Sequence, residues 1–197
     1  MATPTLQVIT GSTRPGRVGA VVADWFASAA RAHGGFTVET VDLAEVALPL
    51  LDEPEHPALG RYTHEHTRQW SATIRRGDVH VFVVPEYNHG YNAATKNAID
   101  YLHAEWRDKT IGFVSYGGVA AGTRAVQALK PVFLSVKAVP VNESVNIPFV
   151  ASLIAADGSL SVTDGMASAA KAMLDELVRR DRGLRQLREP LSGPASA

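Results

Sequence analysis

The stretch from Val79 to Leu102 leaves few options for the chain around it. Val79-His80-Val81-Phe82-Val83-Val84 is a nearly continuous apolar, β-branched run, the pattern of a strand covered on both faces. Pro85 follows, and with no N–H to donate to a ladder it must end the strand. A polar loop, Glu86 to Asn92, leads straight into a helix-like segment from Ala94 to Leu102. Strand, loop and helix in that order place ligand contacts at the carboxyl edge of a parallel sheet.

The same alternation recurs. Leu6 to Thr10 reads as a short buried strand running into Gly11-Ser12-Thr13-Arg14-Pro15-Gly16-Arg17. Val18, Val21, Val22, Trp25, Phe26 and Ala29 then recur at helical spacing until Gly34-Gly35 stops them. Phe36 to Leu43 is a second strand, and residues 47 to 60, with Pro49, Pro54 and Pro57, form a surface loop. A helix is expected over 61 to 76. Thr110 to Tyr116 is a fourth strand ended by Gly117-Gly118, and a helix from Thr123 to about Val136 is expected to kink or break at Pro131. Ala138 to Val141 is a short fifth strand, 166 to 180 a last amphipathic helix, and 191–197 a frayed tail behind a single domain spanning 1–190.

Five strands interleaved with helices imply a parallel sheet covered on both faces, a three-layer α/β sandwich. Right-handed crossovers favour the order 2-1-3-4-5. The loops after strands 1, 3 and 4 then converge at one edge. These are Gly11 to Gly19, Pro85 to Asn92, and Tyr116 to Gly122, the three most unusual stretches of the chain.

Composition removes other classes. The 197 residues contain no cysteine, which excludes disulfides, thiolate nucleophiles and cysteine-ligated metal. A formal net charge of −1 gives no reason to expect nucleic acid or an anionic membrane as a partner. No apolar run approaches the ~20 residues of a membrane span, and Met1 to Thr5 lacks the features of a secretion signal. The expectation is a soluble cytoplasmic protein.

The first loop reads as an anion site. Its glycines allow several backbone N–H groups to point at one anion, and the following helix N-terminus adds uncapped donors. Ser12 and Thr13 supply hydroxyls, while Arg14 and Arg17 supply charge. Gly11 and Gly16 have P-loop spacing, but Arg17 and Val18 stand where Lys and Ser/Thr are required, so a P-loop nucleotidase is disfavoured. A terminal monophosphate suits such a loop; a plain βα turn with solvated arginines is the alternative. Glu86-Tyr87-Asn88 and Tyr116-Gly117-Gly118 would face each other above the sheet, with the glycines admitting a flat ligand and Asn88 fixing its polar edge. Tyr87, Tyr91 and Tyr116 taken singly read as loop packing, and Asn92 as a helix N-cap.

Three blocks together resemble the NADPH-dependent FMN reductase family. They are G-S-T-R-P-G-R from Gly11, P-E-Y-N-H-G-Y-N-A-A-T-K-N-A-I-D-Y-L from Pro85, and S-Y-G-G-x-x-x-G-x-R-A from Ser115. The resemblance covers roughly residues 6 to 150 and implies a flavodoxin-like fold. It implies bound FMN, NADPH or NADH as electron donor, and a quinone, free flavin, azo compound or oxidised metal ion as small-molecule acceptor. It also implies a homodimer or homotetramer. Carried over, Ser12, Arg14, Arg17, Val18 and Gly19 would hold the FMN phosphate. Pro85, Glu86, Tyr87 and Asn88 would border the ring, with Ser115, Tyr116, Gly117 and Gly118 along its other edge. The family pattern often has Ser or Asn where this chain has Arg17-Val18-Gly19.

With the coenzyme carrying the hydride chemistry, no catalytic side chain and no metal ligand is expected. His64 and His66, two apart in the expected helix, would lie on different faces; His80 reads as an edge or packing residue. Arg179, Arg180, Arg182, Arg185 and Arg188 read as a solvated helix end, and Trp106 as either core or subunit contact. Two rival functions share the scaffold: a flavodoxin-type electron carrier, disfavoured by the near-zero charge, and a non-catalytic flavin-binding protein.

Overall fold

The computed structural model describes residues 3–188. Its sheet is built from β1 (Thr5–Thr10), β2 (Thr37–Asp42), β3 (Val79–Pro85), β4 (Thr110–Tyr116) and β5 (Val139–Ile147). All pairings are parallel and the order is β2-β1-β3-β4-β5, the doubly wound arrangement expected from the sequence. The helices are α1 (Gly19–His33), α2 (Leu43–Val46), α3 (Glu65–Arg76), α4 (Ala93–Asp100), α5 (Thr123–Ser135) and α6 (Asp164–Arg188). The tail expected at 191–197 lies outside the described residues.

β3 shows why two layers of helix are needed. Every residue from Val79 to Pro85 is buried, and successive side chains go to opposite faces. Val79, Val81 and Val83 join one core with Val22, Phe26 and Ala30 of α1 and Met173, Leu174 and Leu177 of α6. Phe82 and Val84 join the other, with Trp70 and Ile74 of α3, Ile99 of α4 and Phe133 of α5. α1 ends where Gly34 takes a left-handed φ of 75° and donates its N–H to Arg31 O.

Several elements differ from the sequence reading. β5 reaches Ile147, well past Val141. It is an edge strand with a register shift: β4 advances from Ile111 to Phe113 while β5 advances from Pro140 to Ser144. α6 runs to Arg188, and its arginines are not merely solvated. Arg185 and Arg188 pair with Asp181, which is buried, while Arg179 and Arg180 pair with Glu176. Pro131 lies inside α5 without ending it. His64 is extended and precedes α3, so its ring stacks on that of His66, 5.1 Å away. Trp106 is core: it is fully buried and donates Nε1–H to Ile99 O at 3.1 Å. His80 packs inside against Trp106, 5.4 Å between ring centres, and neither of its ring nitrogens has a partner among the described residues. No helix of the described residues is long and apolar enough to cross a membrane.

Candidate active site

At the carboxyl edge of the sheet the three unusual loops meet. Hydrogen bonds fix how they do so. Gly11 N–H donates to Val83 O at 2.9 Å, and Asn92 Nδ2 donates to Gly11 O at 2.7 Å, so the first loop is tied to β3 and to the start of α4. Asn92 occupies the N-cap position of α4, but its side chain makes no cap bond to the helix; it braces the first loop instead and accepts from Thr95 Oγ1. This approach requires glycine at 11, since a Cβ there would lie 2.4 Å from Thr95 Oγ1. Glu86 N–H donates to Tyr116 O at 3.1 Å, joining the second loop to the third.

Between these loops lies a cleft of about 510 Å³. Arg14 and Val18 line it from the first loop, Pro85, Glu86 and Tyr87 from the second, and Tyr116, Gly117 and Gly118 from the third. A fourth wall, Phe149, Val150, Ala151 and Ser152, comes from the turn after β5 and was not reached by the sequence reading.

The first loop presents an unneutralised positive end. α1 starts at Gly19 with no side-chain cap at Val18 and no acidic residue in its first turn. Arg14 is exposed and its guanidinium makes no ion pair among the described residues. The Tyr116 hydroxyl is buried without a hydrogen-bond partner and sits over Gly19, where a Cβ would come within 2.5 Å of it. Burial pushes this hydroxyl well above the ordinary tyrosine range, so it stays an O–H donor. Ser12 lies near enough to act on it, but the Ser12 hydrogen bond goes to the Tyr87 hydroxyl, at 2.9 Å.

Five expected site residues stand elsewhere. Ser12 is fully buried beneath Tyr87. Arg17 is ion-paired with Asp42 at the end of β2, so its charge is already matched. Gly19 is buried and contributes room for Tyr116 rather than a wall. Asn88 is at the tip of a tight turn: Asn88 and His89 have φ of 49° and 68°, and Tyr87 and Gly90 exchange both backbone bonds. That is a type I′ pattern, and it holds the Asn88 side chain outside the lining of the cleft. Ser115 is fully buried, its single hydroxyl proton facing two acceptors, Ala121 O at 2.8 Å and Asn146 Oδ1 at 2.9 Å. It shapes the third loop from inside.

Arg124, part of the third block, has a role that its position in the sequence does not reveal. Its Nε pairs with Glu86 at 2.7 Å, its backbone N–H donates to the same carboxylate, and its guanidinium meets His89 Nε2 at 2.9 Å. It therefore clamps the second loop to the start of α5 and neutralises the one carboxylate in the cleft. At the glycine pair, Gly117 N–H already donates to Ile147 O, whereas Gly118 N–H has no partner among the described residues.

Comparison with known proteins decides the family. The model for NADPH-dependent FMN reductase matches residues 4–152. The chain belongs to the NADPH-dependent FMN reductase family. It is 41% identical over 150 residues to an NAD(P)H-dependent FMN reductase of Schizosaccharomyces pombe, covering 74% of each chain. With an NAD(P)H-dependent FMN reductase of Nectria sp it shares 34% identity over 167 residues, 82% of each. Among solved structures, the flavoenzyme NAD(P)H:(acceptor) oxidoreductase FerB of Paracoccus denitrificans has the same fold. Its TM-score is 0.70 at 24% identity, over 91% of this chain and 98% of that one. Family membership places the chain among the flavin-dependent oxidoreductases, with a flavodoxin-like fold.

Proposed function

We propose that the protein is an FMN-dependent NAD(P)H oxidoreductase acting on small acceptors such as quinones, free flavin, azo compounds or oxidised metal ions. One observation carries the reading. A donor-rich end (bare α1 N-terminus, unpaired Arg14, orphaned buried Tyr116 hydroxyl) opens into a cleft with flanking glycines and mostly apolar walls. That donor set fits a phosphate at one end and a flat ring at the other.

In this reading Arg14, the α1 N-terminus at Val18 and Gly19, and the Tyr116 hydroxyl hold the FMN phosphate. Pro85, Glu86 and Tyr87 border the ring on one side, and Tyr116, Gly117 and Gly118 on the other. Ser12, Asn88 and Ser115 support those walls from behind, and Arg17 keeps Asp42 away from the phosphate. When bound, FMN would supply the redox chemistry: uptake of a hydride from the reduced nicotinamide and release of its two electrons, as a pair with protons to organic acceptors or one at a time to metal ions. The Gly118 N–H is the backbone donor left to stabilise negative charge at the ring's polar edge. Arg124 keeps the Glu86 carboxylate from opposing that charge. No side chain acts as nucleophile or general base, and a single cleft for donor and acceptor leads to ping-pong kinetics. A cytoplasmic homodimer or homotetramer belongs to the same proposal, on family likeness.

An absorbance scan followed by anaerobic NADPH or NADH tests it. Rapid bleaching of a flavin band is the expected result. Bound flavin that neither nucleotide bleaches would make the protein an electron carrier, and no flavin signal even after adding FMN would leave only a binding scaffold.

A further inference from the structure

We infer that Phe149 is a specificity-determining residue of this cleft: its ring forms a wall on which a planar, uncharged aromatic acceptor stacks, in preference to compact charged ones. The inference rests on the reductase reading above and adds to it the selectivity of the site.

Phe149 is unusual on two counts. Its backbone is left-handed, φ 47° and ψ 41°, a region that a bulky aromatic rarely enters and that glycine or asparagine would occupy with less strain. Its side chain is 58% exposed, so no burial in the core compensates for that strain. The backbone is nonetheless over-determined. Phe149 N–H donates to Gly118 O at 3.2 Å, its carbonyl accepts from Ser152 N–H and Oγ, both at 2.8 Å, and buried Val150 donates its N–H to Gly117 O. The turn thus holds an exposed ring at the mouth of the cleft, hydrogen-bonded to the glycine pair. A strained, rigidly held residue that contributes nothing to the core is the pattern found at ligand clamps.

The surroundings specify what the ring meets. Tyr87, 40% exposed, lines the same cleft, and its hydroxyl bond to Ser12 restrains it. Val18, Pro85, Val150 and Ala151 make the remaining wall apolar. Glu86 is neutralised by Arg124, and Arg14, the other charged residue of the lining, is matched by the phosphate in the reductase reading, so no free charge is left to attract an ionic acceptor. Two aromatic faces over an apolar wall favour a flat uncharged molecule.

The test compares wild type, Phe149→Gly, Phe149→Leu and Phe149→Tyr as holoenzymes, with a naphthoquinone and ferricyanide as acceptors. Flavin occupancy, anaerobic reduction by NADPH and Tm are read first. Because glycine suits the backbone, Phe149→Gly is expected to keep its flavin and Tm. Its KM for the naphthoquinone should rise about tenfold relative to its KM for ferricyanide, the size of a lost ring stack. Phe149→Leu, which keeps bulk without a ring, should show the same split, and Phe149→Tyr should restore the wild-type value. If Phe149→Gly fails to fold, the leucine variant alone decides. An unchanged naphthoquinone KM, or equal losses with both acceptors, overturns the role of Phe149 while leaving the reductase intact. Absence of flavin-dependent NAD(P)H oxidation in the wild type overturns both.

Discussion

Replacing Tyr116 with phenylalanine should move two observables in opposite directions. In flavin-free protein the Tyr116 hydroxyl is buried, has no partner and sits where a Gly19 Cβ would be only 2.5 Å away. An unsatisfied buried hydroxyl costs about 1–3 kcal/mol, so its removal should stabilise the apoprotein, with about 1–2 kcal/mol appearing as roughly 2–8 °C in Tm. When FMN binds, the same O–H becomes a donor to a charged phosphate beside the α1 N-terminus. A hydrogen bond to a charged group contributes roughly 1.5–3 kcal/mol, so Tyr116→Phe should weaken FMN binding by about ten- to a hundredfold. Riboflavin, which lacks the phosphate, should bind wild type and variant alike. Thermal unfolding of flavin-stripped protein and fluorescence titration with FMN and riboflavin provide all three numbers. A lower apoprotein Tm, or equal weakening of both flavins, would show that the hydroxyl serves packing and not the phosphate.

Arg14→Ala should lower FMN affinity about tenfold or more in the same titration, because its guanidinium has no other partner. Arg17→Ala should leave FMN affinity nearly unchanged and lose more than the ~1 kcal/mol of an exposed pair in urea unfolding, since the side chains of Arg17 and Asp42 are only 22% and 20% exposed; the reverse ranking of FMN affinities would refute the placement of the two arginines. His80 should make stability fall in mild acid. Burial first, then the positive charges of Lys109 and Arg188, hold its pKa well below the ordinary 6.5. Below that value the unfolded chain takes up a proton that the folded protein refuses. His80 therefore imposes no penalty above about pH 6.5, and stability drops by up to about 1.4 kcal/mol per pH unit beneath it. Urea unfolding at pH 7.5 and 5.5 should show His80→Leu losing less between the two than wild type does; parallel losses would acquit His80.

How much of this was legible in the sequence depends on whether the needed information was local. The strand order was readable because β3 is apolar throughout and helices separate every strand, so few parallel topologies remain. β5 was read short because Asn142, Glu143 and Ser144 interrupt its apolar character on an edge strand. A weaker signal was present, since Val141, Val145 and Ile147 keep a period of two around polar neighbours. Ending the strand at Val141 also hid the fourth loop, because only a strand reaching Ile147 brings Phe149 beside Gly117 and Gly118. The pairing of Arg17 was hidden for a different reason. Its partner is distant in sequence, and parallel pairing of β1 with β2 sets Asp42 level with Thr10, at the mouth of the first loop. Ser115 and Asn88 differ in direction: the residue types suit a ligand, but strand alternation turns one inward and a left-handed turn carries the other away from the wall.

The distribution of satisfied and unsatisfied groups separates the two ends of the sheet. At the amino end, charge is matched even where it is buried. Glu105 takes Tyr62, Ser71 and Arg75; burial works against its charge, yet these bonds hold its pKa below the ordinary glutamate range. Asp181 takes Arg185 and Arg188, and Lys109 Nζ donates to Gly77 O. Such networks fix the base of the fold. At the carboxyl end Arg14, the Gly118 N–H, the Tyr116 hydroxyl and the first turn of α1 all lack partners and share one cleft. Unpartnered buried groups also occur at the base, at His80 and Thr110 among others, but there they are scattered in the core, whereas these four donors converge on one open cleft. They are complementary to an anion attached to something flat, which is why the binding of FMN over riboflavin tests the site more sharply than turnover does.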